Sequence, residues 1–165
     1  MLNAFQLKWT ILDTEDGMLL RDFLKEKKIS KRALTDIKFG GGRITVNGEH
    51  ATVRFILKTG DSVGVIFPTE KPSAGLLPQK MNLDIVYEDD WCLVINKPPF
   101  IPVIPSREHP NGTLANGLLS YFSEKGIAAT IHIVNRLDRD TSGLMLVAKH
   151  RFSHSLFSAL QKQSG

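Results

Sequence analysis

A proline-rich segment limits the chain to two small folded modules rather than one large core. Residues 68–80 contain Pro68, Pro72 and Pro78 and show little hydrophobic periodicity. Proline fixes φ and removes a backbone donor, so a segment of this kind is typical of an extended linker. For the 165-residue chain we therefore predict one module at residues 1–67, a linker at 68–80 and a second module at 81–165.

The first module has the patterns of a small mixed domain. Apolar residues alternate with polar ones over residues 5–11, which predicts a half-buried strand. Apolar residues then recur at helical spacing over residues 18–24, with Asp16 as the expected cap. Ser30 is expected to cap a second helix, which the glycine run 40–42 ends. The Asn47-Gly48 pair predicts a hairpin that continues through residues 53–57, and a last strand follows at residues 63–66.

The second module mixes strands and helices in the same way. Strands are predicted for the apolar runs LDIVYEDD, WCLVINK, IHIV and LMLVA. A helix capped by Thr113 and a final amphipathic helix at residues 150–162 complete the module. The interspersed short strands and helices favour the α+β class for both modules.

Composition narrows the class of protein only moderately. The net charge of +4 and pI near 9.3 lean toward a nucleic-acid partner. Cys92 is the single cysteine and lies in an apolar run, so we expect a buried reduced thiol. No apolar run approaches membrane-spanning length and the N-terminus lacks a signal-peptide pattern. We therefore expect a cytoplasmic protein without a membrane partner or an obligatory protein partner.

The segment NRLDRDTSGLMLVAK, residues 135–149, is the main candidate for chemistry. It sets Asp138 between Arg136 and Arg139 in a loop between two strands. The following residues bond their own backbone or tolerate positive φ, so they are expected to shape the turn. A carboxylate surrounded by fixed cations suits chemistry on an anionic substrate.

The segment LLRDFLKEKKISKRALTDIKFGGGRITVNGE resembles an S4 domain, a small RNA-binding module. Residues 21–43 hold eight basic side chains against three acidic ones, which suits phosphate contacts. The S4 resemblance covers roughly residues 17–67 and rests on the leucine-rich first helix, the serine-initiated basic second helix and the glycine turn before V-N-G. It implies RNA contacts from Ser30, Lys31, Arg32, Lys38 and Arg43.

Three ordered motifs of the second module resemble the RluA-type pseudouridine synthases. They are VYEDDWCLVINKPPFIPVIPS, NGTLANGLLSYF and NRLDRDTSGLMLVAK. The resemblance implies that Asp138 is the catalytic residue and that Arg136 contacts the RNA at a flipped-out nucleotide. Arg139 and Thr141 are expected to contact the same substrate, which would be ribosomal or transfer RNA.

The implied reaction suits a single carboxylate. Isomerisation of uridine breaks the bond from N1 to C1′, turns the base and joins C5 to C1′, so no cofactor or metal is expected. Asp138 could attack C1′ as a nucleophile or remove the ribose 2′ proton as a base. The target base must leave its stack to reach the acid, which we expect to be buried.

Four further residues are expected to support the site: Lys97, Asn135, Ser142 and Gly143. Asn135 stands where the family usually has histidine. The family's catalytic domain also continues beyond this point, through a strand with a tyrosine that stacks on the uracil and a later basic residue. We therefore expect this chain to be the front part of a longer synthase, and its second module to be the front part of a mixed-sheet α+β catalytic domain.

Other functions are open on the sequence alone. A non-enzymatic S4-type RNA-binding protein, such as a ribosome assembly factor, would keep the first module and leave the second degenerate. A metal-dependent hydrolase would use Asp138 and Asp140. A calcium loop is disfavoured because its glutamate position falls on Lys149, and a zinc site at His150 and His154 has no third ligand.

Overall fold

The computed structural model describes residues 4–164 and divides them into two units, residues 4–69 and residues 70–164. Each unit contains its own four-stranded antiparallel sheet and two α-helices. This agrees with the α+β class predicted from the sequence. The strands that the structure describes in the second unit pair only in antiparallel fashion, whereas a mixed sheet was expected. Among the described helices, none combines the length and the apolar character needed to span a bilayer.

The first unit is a sheet covered by two short helices. Its strands are β1 (Gln6–Thr10), β2 (Arg43–Val46), β3 (Glu49–His50) and β4 (Ser62–Ile66), in the order β1-β4-β2-β3. The helices are α1 (Leu20–Glu26) and α2 (Lys31–Phe39). Trp9 of β1 and Phe23 of α1 meet edge to face at 5.7 Å between ring centroids, which ties the sheet to the helix.

Local sequence signals account for most of these boundaries. The Ser30 hydroxyl accepts a 3.1 Å hydrogen bond from the Ala33 amide and so caps α2, as predicted. The helix ends at Gly40. Asn47 and Gly48 both have positive φ, 53° and 82°, as a two-residue hairpin turn between β2 and β3 requires.

Two local predictions for the first unit are wrong. Asp16 does not cap α1, which begins after Leu19 without a side-chain cap. Instead, the Asp16 carboxylate accepts hydrogen bonds from the main-chain amide and hydroxyl of Thr59. Residues 53–57 do not extend the hairpin; they form a loop with a single bridge between Leu19 and Ile56. The apolar residues of this segment resemble a strand pattern, but residues 53 and 54 form a turn instead.

The second unit orders its strands so that β6 and β8 are central. The strands are β5 (Ile85–Glu88), β6 (Cys92–Lys97), β7 (His132–Ile133) and β8 (Gly143–Ala148), in the order β5-β6-β8-β7. The helices are α3 (Leu114–Lys125), capped by Thr113 as predicted, and α4 (Arg151–Ser164). Most of the buried core consists of side chains from β6, β8 and α3, including Leu93, Ile95, Leu118, Phe122, Met145 and Val147.

The segment interpreted as a linker has no helix or strand, but its residues 70–80 belong to the second unit. The Glu70 amide donates to the carbonyl oxygen of Ala128 at 3.0 Å. The Asn116 side chain donates to the carbonyl oxygen of Leu77 at 2.9 Å. Residues 70–80 are therefore held by specific hydrogen bonds, which satisfy backbone groups that have no ladder partners.

Candidate active-site loop

The loop that carries Asp138 connects β7 to β8, and Asn135 fixes its start. The Asn135 side chain accepts a 2.7 Å hydrogen bond from the Leu146 amide and donates a 3.3 Å bond to the carbonyl oxygen of Leu144. One residue earlier, the Val134 amide donates to the carbonyl oxygen of Leu146 at 2.9 Å. The Asn135 amide thus takes the place of a strand residue at the point where the main chain leaves the sheet.

Lys97 anchors the part of the loop that leads into β8. It is the last residue of β6, lies in register with Gly143 of β8, and is fully buried. Its ammonium donates to three carbonyl oxygens: that of Pro98 at 3.0 Å and those of Arg139 and Thr141 at 2.8 Å each. An ammonium has three donors, so all three are used.

The electrostatics of Lys97 explain why it needs this arrangement. Burial lowers the pKa of Lys97, and the nearby carboxylate of Asp140 acts in the opposite direction. A buried charge is tolerated only where polar groups replace its water, and here the three carbonyl dipoles do so. The same bonds fix the loop backbone at Arg139 and Thr141.

Backbone geometry adds a tight turn at the Asp138 position. The Thr141 amide donates to the carbonyl oxygen of Asp138 at 3.0 Å and closes the turn. Gly143 then enters β8 with φ +139°, a conformation that favours glycine. A Cβ at Gly143 would meet only a Leu137 methyl at 3.6 Å, an ordinary contact, so conformation rather than space explains the glycine.

The exposed side of the loop differs from two expectations. The side chains of Arg136, Asp138 and Arg139 are all exposed, so Asp138 is not the buried acid expected from the sequence. Arg139 pairs with Asp140 rather than Asp138, at 3.8 Å from Nε to Oδ1. Across residues 4–164, no ion pair joins Asp138 to either arginine. The exposed Arg139–Asp140 pair is the kind that contributes little stability.

Thr141 and Ser142 are exposed as well. The Thr141 main chain both donates to Asp138 and accepts from Lys97, so this residue shapes the loop through its backbone.

The basic residues of the first unit form an exposed set. Ser30, Lys31, Arg32, Lys38 and Arg43 are all exposed, so the four cations are open to an anionic partner. The Ser30 hydroxyl is already engaged as the cap of α2.

The residues at the disfavoured calcium and zinc positions make other contacts in the structure. Lys149 pairs with Glu88 at 3.4 Å. His150 is buried and its Nδ1 accepts a 3.1 Å hydrogen bond from the Ser153 amide at the start of α4. His154 Nε2 lies 3.3 Å from the carbonyl oxygen of Ile133. Within residues 4–164, no group of three His, Cys, Asp or Glu side chains is arranged to hold a metal ion.

Cys92 is buried, as predicted. Burial raises the pKa of this thiol to about 11, and the negative charge of Asp89 adds to the effect. The thiol form therefore dominates at neutral pH, which makes Cys92 a poor nucleophile.

Sequence reasoning missed two features of the second unit. The three-carbonyl arrangement around Lys97 is not predicted from the sequence, although a lysine two residues after the apolar run WCLVI is a usable sign of it. Phe100 was also overlooked; it has φ +70° and is 68% exposed. A large aromatic directly after Pro98-Pro99 in a loop is the signal that could have found it.

Comparison with known proteins agrees with the sequence resemblance. The family model described as RNA pseudouridylate synthase matches residues 91–164, a range that contains Lys97, Asn135 and Asp138. Residues 91–164 thus belong by sequence to the RNA pseudouridylate synthase family, as the resemblance to the RluA-type synthases implied. The matched range covers most of the second unit and includes its whole candidate loop.

Individual relatives of this synthase family match both units. A Bacillus subtilis protein named as the uncharacterized RNA pseudouridine synthase YjbO is 56% identical over 145 residues, 88% of this chain and 51% of that protein. The ribosomal large subunit pseudouridine synthase D of Yersinia pestis is 36% identical over 155 residues, 90% of this chain and 46% of that protein. The chain thus spans about half the length of these curated relatives.

Proposed function

We propose that the protein isomerises uridine to pseudouridine in a structured ribosomal or transfer RNA, with Asp138 as the reacting acid. The observation that carries the proposal is the anchoring of the loop by Lys97, whose ammonium holds the main chain on both sides of Asp140. Asp138 precedes this anchor by one residue and stays exposed. Catalysis requires a reacting group held in a fixed position, and an anchored backbone provides it.

The reaction balances without an oxidant or a metal. The bond from C1′ to N1 of uracil breaks, the bond from C1′ to C5 forms, C5 loses its proton and N1 gains one. As a nucleophile, the Asp138 carboxylate would hold C1′ until the base has turned. As a base, it would remove the ribose 2′ proton so that the uracil can leave.

The exposed arginines suit an RNA substrate. Arg136 is the residue we assign to the backbone of the flipped-out nucleotide, since a guanidinium can bond a phosphate through two N–H groups. Arg139 contacts the same backbone once RNA competes with Asp140 for its guanidinium. Their exposure leaves both side chains able to reach a strand that approaches the loop.

We assign the first unit the role of an S4 domain that increases affinity for RNA. Lys31, Arg32 and Lys38 fall on one exposed face of α2, with Phe39 beside them. Arg43 is exposed where β2 begins. Phosphate contacts of this kind are sequence-independent and weaken with salt. We also propose that the protein acts on this RNA in the cytoplasm.

The decisive experiment compares two neighbouring acids in the full-length protein. Asp138→Asn is expected to lower the rate of pseudouridine formation at least about 100-fold, because it removes the carboxylate that reacts. Asp140→Asn is the matched control: it lies in the same exposed loop and should retain most activity. Pseudouridine is mapped in total RNA from a deletion strain that carries each variant.

Retained modification by the Asp138→Asn variant would overturn the catalytic assignment. Wild-type protein that binds RNA but restores no pseudouridine at any position would instead support a non-enzymatic RNA-binding function. A hydrolytic activity that EDTA abolishes, and that Asp140→Asn damages as much as Asp138→Asn, would favour the metal-dependent hydrolase.

A further inference from the structure

Phe100 combines a strained backbone with an exposed apolar ring, and both are unfavourable for folding. Its φ of +70° lies in the left-handed region, which a bulky side chain rarely adopts and glycine adopts freely. Its ring is 68% exposed, so it gains little from burial. Of the non-glycine residues with positive φ in the described chain, Asn47 serves a hairpin turn and Lys28 follows α1. Phe100 is the only aromatic among them.

The position of Phe100 relates it to the Asp138 loop. It follows Lys97 by three residues, and the Lys97 ammonium donates both to the carbonyl oxygen of Pro98 and to those of Arg139 and Thr141. One buried cation therefore anchors the turn that leads to Phe100 and the loop that carries Asp138. Both leave the sheet at the end where β6 stops and β8 starts.

A second exposed apolar side chain lies at the same end of the sheet. Leu144, the second residue of β8, is 59% exposed and lies in register with the exposed Asn96 of β6. Phe100 and Leu144 thus leave apolar surface exposed at the end of the sheet from which the arginine-bearing loop also leaves. An unstacked nucleotide can use both kinds of group, an apolar face for its base and a cation for its phosphate.

We propose that Phe100 stacks on a base of the RNA substrate adjacent to the uridine bound at Asp138. The inference rests on the proposed function and adds a substrate contact to it. Extrusion of the target uridine breaks stacking with its neighbours, and an aromatic ring beside the site replaces that lost contact. Phenylalanine has no hydrogen-bonding group, so the contact tolerates different bases. The strained backbone is retained because it presents the ring to RNA.

The test uses three substitutions at this position in the full-length protein. Phe100→Gly removes the ring and also the strain, Phe100→Leu keeps apolar bulk and strain without a ring, and Phe100→Trp keeps a ring. We expect Phe100→Gly to leave the thermal unfolding midpoint unchanged or raised. The same variant should lower kcat/KM for pseudouridine formation by roughly 5- to 100-fold, mainly through KM. Phe100→Leu should show a similar loss of activity, and Phe100→Trp should retain activity.

Several outcomes would overturn the inference. A lower unfolding midpoint for Phe100→Gly would show that the ring packs against protein, such as another segment of the full-length chain. Unchanged kinetics for Phe100→Gly would show that the ring does not touch the substrate, and full activity of Phe100→Leu would show that stacking is not required. Wild-type protein and Asp138→Asn are measured alongside: if wild type forms no pseudouridine, the proposed function has failed, whereas an active wild type isolates the question of Phe100.

Discussion

The ammonium of Lys97 donates a 2.8 Å hydrogen bond to the carbonyl oxygen of Thr141, 44 residues further along the chain. With the equivalent bond to Arg139, it makes one buried side chain the support of the loop around Asp138. The loop thus depends on a residue of another strand, and changes at Lys97 should affect chemistry and stability together.

Lys97→Met tests this dependence. The methionine fills similar space but leaves three carbonyl oxygens without their donor, so we expect the free energy of unfolding to fall by about 2–4 kcal/mol. The rate of pseudouridine formation should fall more than the affinity for RNA, because the substitution disturbs the position of Asp138. Urea denaturation and single-turnover kinetics measure the two effects.

Lys80→Met is the control for Lys97→Met, since Lys80 is exposed in the same unit. It should alter neither stability nor rate. Equal effects of the two substitutions would contradict the anchoring role of Lys97.

Glu70→Gln should weaken the attachment of residues 70–80 to the rest of the second unit. Glu70 Oε2 lies 2.9 Å from His132 Nε2, and Oε1 accepts a 3.0 Å bond from the Arg151 amide. Burial alone would raise the pKa of Glu70, but its hydrogen bond with His132 and the positive charges of His132 and Arg151 lower it. The lowered pKa means that the charged form stabilises the fold above about pH 4.5, and that this contribution is lost as acid protonates the carboxylate.

We expect Glu70→Gln to cost about 1–2 kcal/mol of unfolding free energy at pH 7. Glu124→Gln, at an exposed position of α3, should cost nothing measurable. A double-mutant cycle with His132→Asn should give a coupling energy of at least about 0.5 kcal/mol. Strict additivity would argue against a direct interaction.

His150 predicts a loss of stability in mild acid. Burial lowers the pKa of His150 to about 4, an effect that Glu70 opposes and that His132 and Lys149 reinforce. Below about pH 6.5 the unfolded chain takes up a proton at this ring, whereas the folded chain does so only near pH 4. Stability is therefore complete above pH 6.5 and should fall by about 2–3 kcal/mol as the pH drops toward 4.

The variant His150→Asn checks this titration. Asparagine can still accept the bond from the Ser153 amide at the helix start but does not titrate. Chemical denaturation at pH 7.5, 6 and 5 should show a flatter pH dependence for the variant. The same slope in both proteins would assign the acid sensitivity to other groups.

Two substitutions of Ser30 can distinguish its structural role as the cap of α2 from its proposed contact with RNA. Ser30→Ala removes the cap of α2 and should cost about 1 kcal/mol. Ser30→Asp keeps a capping oxygen but adds negative charge beside Lys31 and Arg32, so it should retain stability and weaken RNA binding. Filter binding at two salt concentrations distinguishes the variants. Undiminished RNA affinity of Ser30→Asp would remove this residue from the proposed interface.

Local signals in the sequence were sufficient wherever a boundary depends on a few neighbouring residues. Ser30 and Thr113 cap helices, and the Asn47-Gly48 turn forms, because each acts within about three residues of its own position. Asp16 has the composition of a cap but bonds Thr59 instead, since a tertiary contact competes with the local one.

The parts of the site that could not be predicted depend on long-range contacts. Glu70 meets His132 across 62 residues, and Lys97 reaches Arg139 across 42. Nothing near either residue in the sequence specifies its partner. Arg139 pairs with Asp140 rather than Asp138 because of the side-chain directions that the turn sets. Both acids are adjacent to Arg139 in the sequence, so the sequence alone does not select between them.

The hydrogen bonds of Asn135 make the pairing of β8 independent of the residues at the tip of the loop. The side-chain amide of Asn135 bonds the carbonyl oxygen of Leu144 and the main-chain amide of Leu146. These groups of β8 therefore keep their partners when residues 136–142 change. Substitutions at the tip of the loop therefore need not unravel the strand that follows. If Asp138 is the reacting acid as proposed, residues around it can change, and with them the RNA that is accepted, while β8 stays the same.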